Sequence, residues 1–493
     1  MTFNSITFLL FFLLVVCLYY LLPHKFRWIL LLVANTVFYA VFVPWYTLIF
    51  ASTILLTYAV GILIDQEKPK RKKQLLIFGI IANLIPLLFF KYTNFANANI
   101  AELVKLLDWN YSYTTLMWLL PLGISFHTFQ SISYLVDVFK RKVPVERHLG
   151  IFSLYISFFP QLVAGPIERP GHMLPQFHEK HAFSGSGTTE GLKRMALGFF
   201  KKMVIADRLS LLVAAVYAVP TQASGMMLVL ATLAFTFQIY CDFSGYSDIA
   251  IGAARVLGFR LVENFDNPYG SRSIKDFWKK WHMSLSYWFR DYIYIPLGGS
   301  RVSTLRHYGN LLAAFLISGL WHGANWTFVV WGLLHGAYII VSHTIENIVG
   351  TTGKSFQALV NSQWVRAAQT LFVFFLVAFA WIFFRANNLS DAWYITTHIA
   401  KDSRTYLYIL TNDGIFALLP AILRQLEAVG FHVTDVVITL VSLAAMFGME
   451  YVNRAKNVFY SSPLYNWSMY GLVTLAIFNL SIIQIVPFIY FQF

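Results

Sequence analysis

Long apolar runs alternate with short polar loops along most of this chain. The runs cover residues 5–22, 28–45, 48–64, 75–90, 226–240, 311–320, 326–341, 367–384, 436–447 and 470–489. A straight helical span needs about 20 apolar residues. Several runs are shorter, which predicts tilted, buried or re-entrant helices. The pattern predicts an all-α integral membrane protein with roughly 10–12 membrane helices. The first run has no basic segment before it and no small-residue cleavage site after it, so it reads as a retained helix rather than a cleaved signal.

Charge sharpens this picture. Only 12% of the residues are charged, yet Lys and Arg outnumber Asp and Glu by 37 to 23, for a net charge of +14. The excess is not spread as a nucleic-acid-binding surface would spread it. It sits in short clusters at 67–73, 140–147, 193–208 and 272–290, the pattern of cytoplasmic loops in a membrane protein. Counting spans between clusters places the N-terminus outside, Arg454 and Lys456 inside, and Tyr490 toward the outer face. Cys17 and Cys241 both fall in apolar runs without metal-ligand spacing, and are expected to be buried, inert thiols.

The middle of the chain is less apolar than its ends. Residues 160–210 hold Pro160, Pro166, Pro170 and Pro175, and read as a broken helix in which Glu168 and Arg169 can pair. Residues 272–294, taken as one helix, put Phe277, Trp281, Ser284, Leu285 and Trp288 on one face. Lys275, Lys279, His282, Ser286 and Arg290 fall on the other side. Such a helix lies at the cytoplasmic interface, where His282 is either an exposed interfacial residue or a functional one. Straight spans alone need neither segment; a membrane enzyme built around a chamber does. The whole chain, 1–493, reads as a single integral membrane domain.

His322 lies between two apolar runs in Trp321-His-Gly-Ala-Asn-Trp326. A titratable ring there is a functional-site hypothesis, set against a histidine satisfied inside a helix bundle. Gly323 lets a substrate come close, and Asn325 lies at i+3, able to bond the ring or a carbonyl oxygen if the helix continues. His335 falls about 140° round a helix from His322, so the two cannot share a metal on one face. In Gln238-Ile-Tyr-Cys-Asp-Phe-Ser-Gly-Tyr-Ser-Asp248, Asp242 and Asp248 are bases or, more simply, caps and partners for nearby cations. Arg385 is expected to snorkel to the interface. The terminal Phe488-Ile-Tyr-Phe-Gln-Phe493 reads as an aromatic membrane anchor or as the carrier of an acyl-accepting phenol, Tyr490.

These segments together resemble the membrane-bound O-acyltransferase (MBOAT) family, and within it the bacterial alginate O-acetyltransferase type. The likeness rests on Pro121-Leu-Gly-Ile-Ser-Phe-His-Thr-Phe-Gln130, Phe158-Phe-Pro-Gln-Leu-Val-Ala-Gly-Pro-Ile-Glu168, the Gln238–Ser247 stretch, Phe277-Trp-Lys-Lys-Trp-His-Met-Ser-Leu-Ser286, Arg290-Asp-Tyr-Ile-Tyr-Ile-Pro-Leu-Gly-Gly299, Trp321-His-Gly-Ala-Asn-Trp326 and Trp381-Ile-Phe-Phe-Arg-Ala386, in family order. They define a motif-rich core of about 115–386, followed by C-terminal helices over 387–493. His127 stands where relatives more often carry tyrosine, and no catalytic role is expected of it.

The resemblance implies a helical ring with re-entrant and interfacial helices around a central funnel, in a bacterial cytoplasmic (inner) membrane. It maps the two catalytic histidines onto His322 and His282 and the acyl-carrying tyrosine onto Tyr490. It implies acetyl transfer from a cytoplasmic donor, acetyl-CoA or a similar thioester, to an exopolysaccharide such as alginate. Acyl transfer needs a base and oxyanion donors. His322 is the expected base, with Asn325 or backbone N–H groups as donors and His282 orienting the thioester. Trp321, Asp242 and Ser244 are expected as supporting residues. Lys275, Lys279 and Lys280 suit the phosphates of coenzyme A, or are a solvated positive face. No metal and no permanently bound cofactor are expected; membrane lipid and a separate extracytoplasmic acyltransferase are the expected partners, and nucleic acid is not. The alternatives are D-alanyl-type transfer to an envelope polymer, a lipid or glycan transporter, and, last, a glycosyltransferase.

Overall fold

A computed structural model describes the chain except for residues 110, 163–164, 351–361, 456–462, 483–485 and 492–493; Lys456 and the Gln492-Phe493 end of the C-terminal motif thus lie outside the described residues. Among the described residues the regular structure is helical. Helices α1 (Ile6–Leu21), α2 (His24–Ala40), α3 (Tyr46–Gln66) and α4 (Pro69–Lys105) open the chain. Broken pieces follow: α5 (Ile124–Phe139), α6 (Leu149–Ser157), α7 (Phe159–Leu162) and α8 (Pro170–His178). Then come α9 (Gly185–Phe199), a π-helical turn (Phe200–Ala206), α10 (Asp207–Ala218) and α11 (Gly225–Val256). Short α12 (Ile274–Trp278) and α13 (Met283–Phe289) lead to α14 (Thr304–His322), α15 (Trp326–Gly350) and α16 (Gln363–Arg385). The C-terminal part adds α17 (Leu389–His398), α18 (Ser403–Tyr408), α19 (Ile415–Ala428), α20 (Val433–Ala455) and α21 (Pro463–Leu480), and a final turn at Ile489–Phe491.

Six of these helices, α3, α4, α11, α15, α16 and α20, are long and apolar enough to cross a membrane. The other apolar runs form shorter helices, such as α1 with 16 residues. Apolar length therefore divides into full spans and partial ones, as the short runs predict. On α1, Phe8, Phe12 and Val15 are buried while Leu10, Leu13 and Leu14 stand exposed. An apolar face on both sides of a helix is stable only where the outer side meets lipid.

The axis of the fold is α11, 32 residues long and largely buried. Helix α9 lies against it at glycine contacts. A Cβ added at Gly198 would come 2.5 Å from the Gly245 carbonyl oxygen, and one at Gly245 would come 2.8 Å from that of Gly198. Two backbones this close leave no space for side chains between them. The approach carries the π-helical turn onto α11 and fixes which α11 residues meet its two lysines.

Several expectations are corrected. Residues 272–294 are not one helix: α12 ends at Trp278, His282 takes a left-handed backbone (φ 40, ψ 56), and α13 starts anew at Met283. Phe277, Trp281, Ser284, Leu285 and Trp288 are buried as expected, but so is His282, at 1% exposure. The turn rotates its ring out of the polar face. Glu168 and Arg169 do not pair with each other; Glu168 holds His172 (2.7 Å) and accepts from the Val262 N–H (2.7 Å), and Arg169 holds Asp291 (3.2 Å). Cys17 is exposed while Cys241 is buried against Met446. Lys201, Lys202 and Arg208 are not solvated loop cations; all three are buried in ion pairs. Arg385 lies over the Tyr217 ring, 5.3 Å from its centroid, rather than reaching out freely.

Two outcomes follow from this packing. Gly198→Val drives a side chain into the α11 backbone, and overpacking of this kind costs about 1–3 kcal/mol; the variant is expected to unfold at lower temperature in detergent, with Gly198→Ala between it and the parent. The hydrogen bond that the His172 ring donates to Glu168 raises the pKa of His172 above its ordinary value, outweighing its partial burial. Its stabilising effect is complete below the usual histidine range and lost as pH rises through the raised value. His172→Gln is therefore expected to lower the melting temperature at about pH 5 and to match the parent at about pH 9.

Candidate active site

Helix α14 ends at His322 because Gly323 leaves the helical path for an extended one (φ −157). The last carbonyls of a helix have no partner within it. Here α4 supplies them: Tyr92 donates its hydroxyl to Leu320 O (2.7 Å), and Lys91 donates its ammonium to Trp321 O (2.6 Å) and His322 O (2.9 Å). A cation at a helix C-terminus also suits the helix dipole. Lys91 therefore holds the backbone that carries the histidine. In the sequence it stands as a single lysine in Phe89-Phe-Lys-Tyr92, directly after the 75–90 apolar run, and a lone charge at the edge of such a run is the signal that identifies it.

The His322 ring sits in an aromatic cage. Ring centroids of Trp321, Trp331, Phe384 and Tyr490 lie 4.9, 5.0, 5.3 and 5.5 Å away. The ring is 4% exposed, and its Nδ1 has no hydrogen-bond partner in the protein. The His282 ring stands edge-on to Phe243 at 4.5 Å and 6.4 Å from Trp321, with neither nitrogen bonded within the protein. Phe243 also meets Tyr490 at 4.7 Å. Trp321 thus lies between the two histidines, and Phe243 between His282 and Tyr490. The Trp321 indole Nε1 and the Tyr490 hydroxyl are also buried without a protein partner. Polar atoms left so in an apolar cage are poised for something other than packing.

A cavity of about 100 Å³ opens onto this cage, lined by Lys91, residues 119–126, Trp321, His322 and Tyr490. Its wall is the loop after α4 and the start of α5. Tyr490 is therefore not a free aromatic anchor at the membrane surface: the final turn folds back into the core, with Phe488 and Ile489 buried. A larger groove of about 620 Å³ has Lys275, Lys279 and Arg290 among its lining residues and Leu285, Phe315 and Ser318 among its apolar and small ones. Ser318 is one helical turn before His322 on α14.

Other expected site residues are placed as follows. Asn325 is not on the face of α14, because the helix ends at Gly323. Its side chain accepts from the Thr327 N–H (3.1 Å) and donates to Asn387 O (3.1 Å), so it caps α15 rather than aiming at the histidine. Asp242 pairs with Lys202 (2.7 Å) and Asp248 with Lys201 (3.1 Å) and Arg194 (2.6 Å). Ser244 is buried with no side-chain partner, on α11. Lys275 meets Glu346 (3.2 Å), and Lys280 is tied to Asp276 (2.9 Å) and does not line the groove. His335 is a buried core histidine whose Nδ1 accepts from the Trp278 indole (3.2 Å), while its Nε2 has no protein partner. His127 packs on Phe50 at 4.9 Å. Residue reasoning missed Lys91, Lys202, Asp207 and Phe243.

Comparison with known proteins gives the family. The model of the membrane-bound O-acyltransferase family matches residues 148–366. The probable alginate O-acetylase AlgI of Azotobacter vinelandii is 40% identical over 401 residues, covering 80% of this chain and 77% of the relative. That of Pseudomonas putida is 35% identical over 513 residues, covering both chains in full. The peptidoglycan O-acetyltransferase of Helicobacter pylori is 37% identical over 393 residues, covering 73% of this chain and 71% of its own. The chain belongs to the membrane-bound O-acyltransferase family, and is a multi-span membrane enzyme of acyl transfer.

Proposed function

We propose that this enzyme takes an acetyl group from a cytoplasmic thioester and passes it to the outer side of the bacterial inner membrane for O-acetylation of an exopolysaccharide such as alginate. The observation that carries the reading is the shared cage: His322, His282 and Tyr490 come from distant parts of the chain and meet around Trp321 and Phe243.

In this reading the donor, acetyl-CoA or a similar thioester, enters by the groove beside Lys275 and Lys279, whose charges suit its phosphates. His322, as neutral imidazole, takes the proton of the Tyr490 phenol while the phenol oxygen attacks the thioester carbonyl. The C–S bond breaks, the thiolate recovers that proton, and the acetyl group stays on tyrosine as an ester. A phenol needs such a base, since its ordinary pKa is about 10. The Trp321 indole N–H is free to stabilise the developing oxyanion, a role Asn325 has given up to its cap. His282 orients the thioester. A hydroxyl acceptor on the outer side then removes the acetyl group, delivered by a separate extracytoplasmic acyltransferase. The Helicobacter relative supports a second acceptor, peptidoglycan, by its name alone.

Purified enzyme given radiolabelled acetyl-CoA and no acceptor is expected to accumulate label on Tyr490. Tyr490→Phe is expected to take up none, and His322→Gln to slow uptake by about 10²–10⁴-fold, the usual contribution of general base catalysis. Undiminished uptake by His322→Gln removes the base from the mechanism. Full acetylation of polymer by the purified chain alone removes the partner. Lys275→Ala combined with Lys279→Ala is expected to raise KM for acetyl-CoA several-fold at unchanged kcat.

A further inference from the structure

The buried ion pairs beside α11 are unused by this mechanism, and they reach the segment that carries Tyr490. Lys202 lies on the π-helical turn at 1% exposure, between Asp207 (2.8 Å) and Asp242 (2.7 Å). Asp242 is itself 2% exposed. One of its oxygens takes the lysine; the other accepts the backbone N–H of Ile489 at 2.8 Å. Ile489 directly precedes Tyr490. The neighbouring Phe488 ring packs against Tyr246 at 4.3 Å and Phe243 at 5.8 Å, both also on α11. One stretch of α11 thus presents to the C-terminal tail a charged hydrogen bond and two rings, beside the contacts Tyr490 makes elsewhere.

We propose that Lys202 and Asp242 are positioning residues forming a latch that seats the tail and sets the Tyr490 phenol against His322. The inference rests on the reading that Tyr490 takes part in transfer, but concerns where the tail sits. The physical case is direct. A carboxylate buried alone is costly, so Asp242 needs a cation, and Lys202 is the cation it meets. Once ionised and half-satisfied, Asp242 has an oxygen that must find a donor. The amide of Ile489 is that donor, and a bond from N–H to a carboxylate is stronger than one to a neutral oxygen. The Tyr490 hydroxyl, with no protein partner of its own, does not seat itself by hydrogen bonding.

The test removes the donor and leaves the ion pairs untouched. Ile489 is the first residue of the final turn, a place where proline fits the backbone and lacks only the N–H. Ile489→Pro is compared with Ile489→Ala, which also loses the side chain but keeps the N–H. In a Cys17→Ala, Tyr490→Cys background, the rate at which the introduced thiol reacts with a water-soluble maleimide reports tail release, since Cys241 is buried. A charged hydrogen bond of this kind predicts labelling about tenfold faster with proline than with alanine. With Tyr490 in place, Ile489→Pro is expected to lower kcat about tenfold relative to Ile489→Ala at unchanged KM for the donor. Asp242→Asn, which keeps an acceptor oxygen but drops its charge, is expected to label at an intermediate rate. Equal labelling of the proline and alanine variants overturns the latch. If instead Tyr490→Phe keeps full transfer while the proline variant still labels faster, the tyrosine mechanism falls and the latch stands.

Discussion

Charge buried in a membrane protein must meet a counter-charge or a set of polar groups, and around α11 it is counter-charge that organises the rest of the molecule. Arg194, Lys201 and Lys202 each face carboxylates of other elements: Asp248 and Glu263, Asp248 and Glu450, Asp207 and Asp242. Such pairs add little net stability compared with apolar packing, but breaking one leaves a stranded charge. They therefore specify which helix faces which. The glycine contacts of α9 with α11 allow the approach, the π-helical turn aims two consecutive lysines at different partners, and Glu450 draws in α20. The C-terminal tail joins the same network through Asp242.

The site itself follows a different rule. Among the described residues no carboxylate bonds to its histidines in the way a soluble hydrolase orients its base. Orientation comes from rings packed on every side and from backbone anchoring: Lys91 and Tyr92 cap the helix that ends at His322, and a left-handed turn aims His282. Aromatic edges leave both His282 nitrogens and the His322 Nδ1 without a protein partner. Apolar walls of this kind also exclude bulk water.

The two openings are distinct. The groove carrying Lys275, Lys279 and Arg290 and the cavity bounded by residues 119–126 share no lining residue. Helix α14 connects them: Ser318, which lines the groove, lies one turn before His322, which lines the cavity.

The sequence by itself determined the membrane class, the places of the helices and the family. Each apolar run lies on a helix over most of its length, and the seven motifs stand in family order, because hydropathy and motif spacing are local properties of a chain. It also proposed His322, His282 and Tyr490 as site residues, and the structure brings their rings around one cage. It did not reveal that Asn325 would be used as a cap, that residues 272–294 would break at His282, or that Lys202 would leave its basic cluster for the core. Those outcomes depend on partners far along the chain: Lys91 meets a carbonyl 231 residues away, and Asp242 an amide 247 residues away. A lysine in water and a lysine between two buried carboxylates have the same letter. Only the tertiary structure, by bringing distant charges within bonding distance in a medium that will not tolerate them singly, decided which of the two each would be.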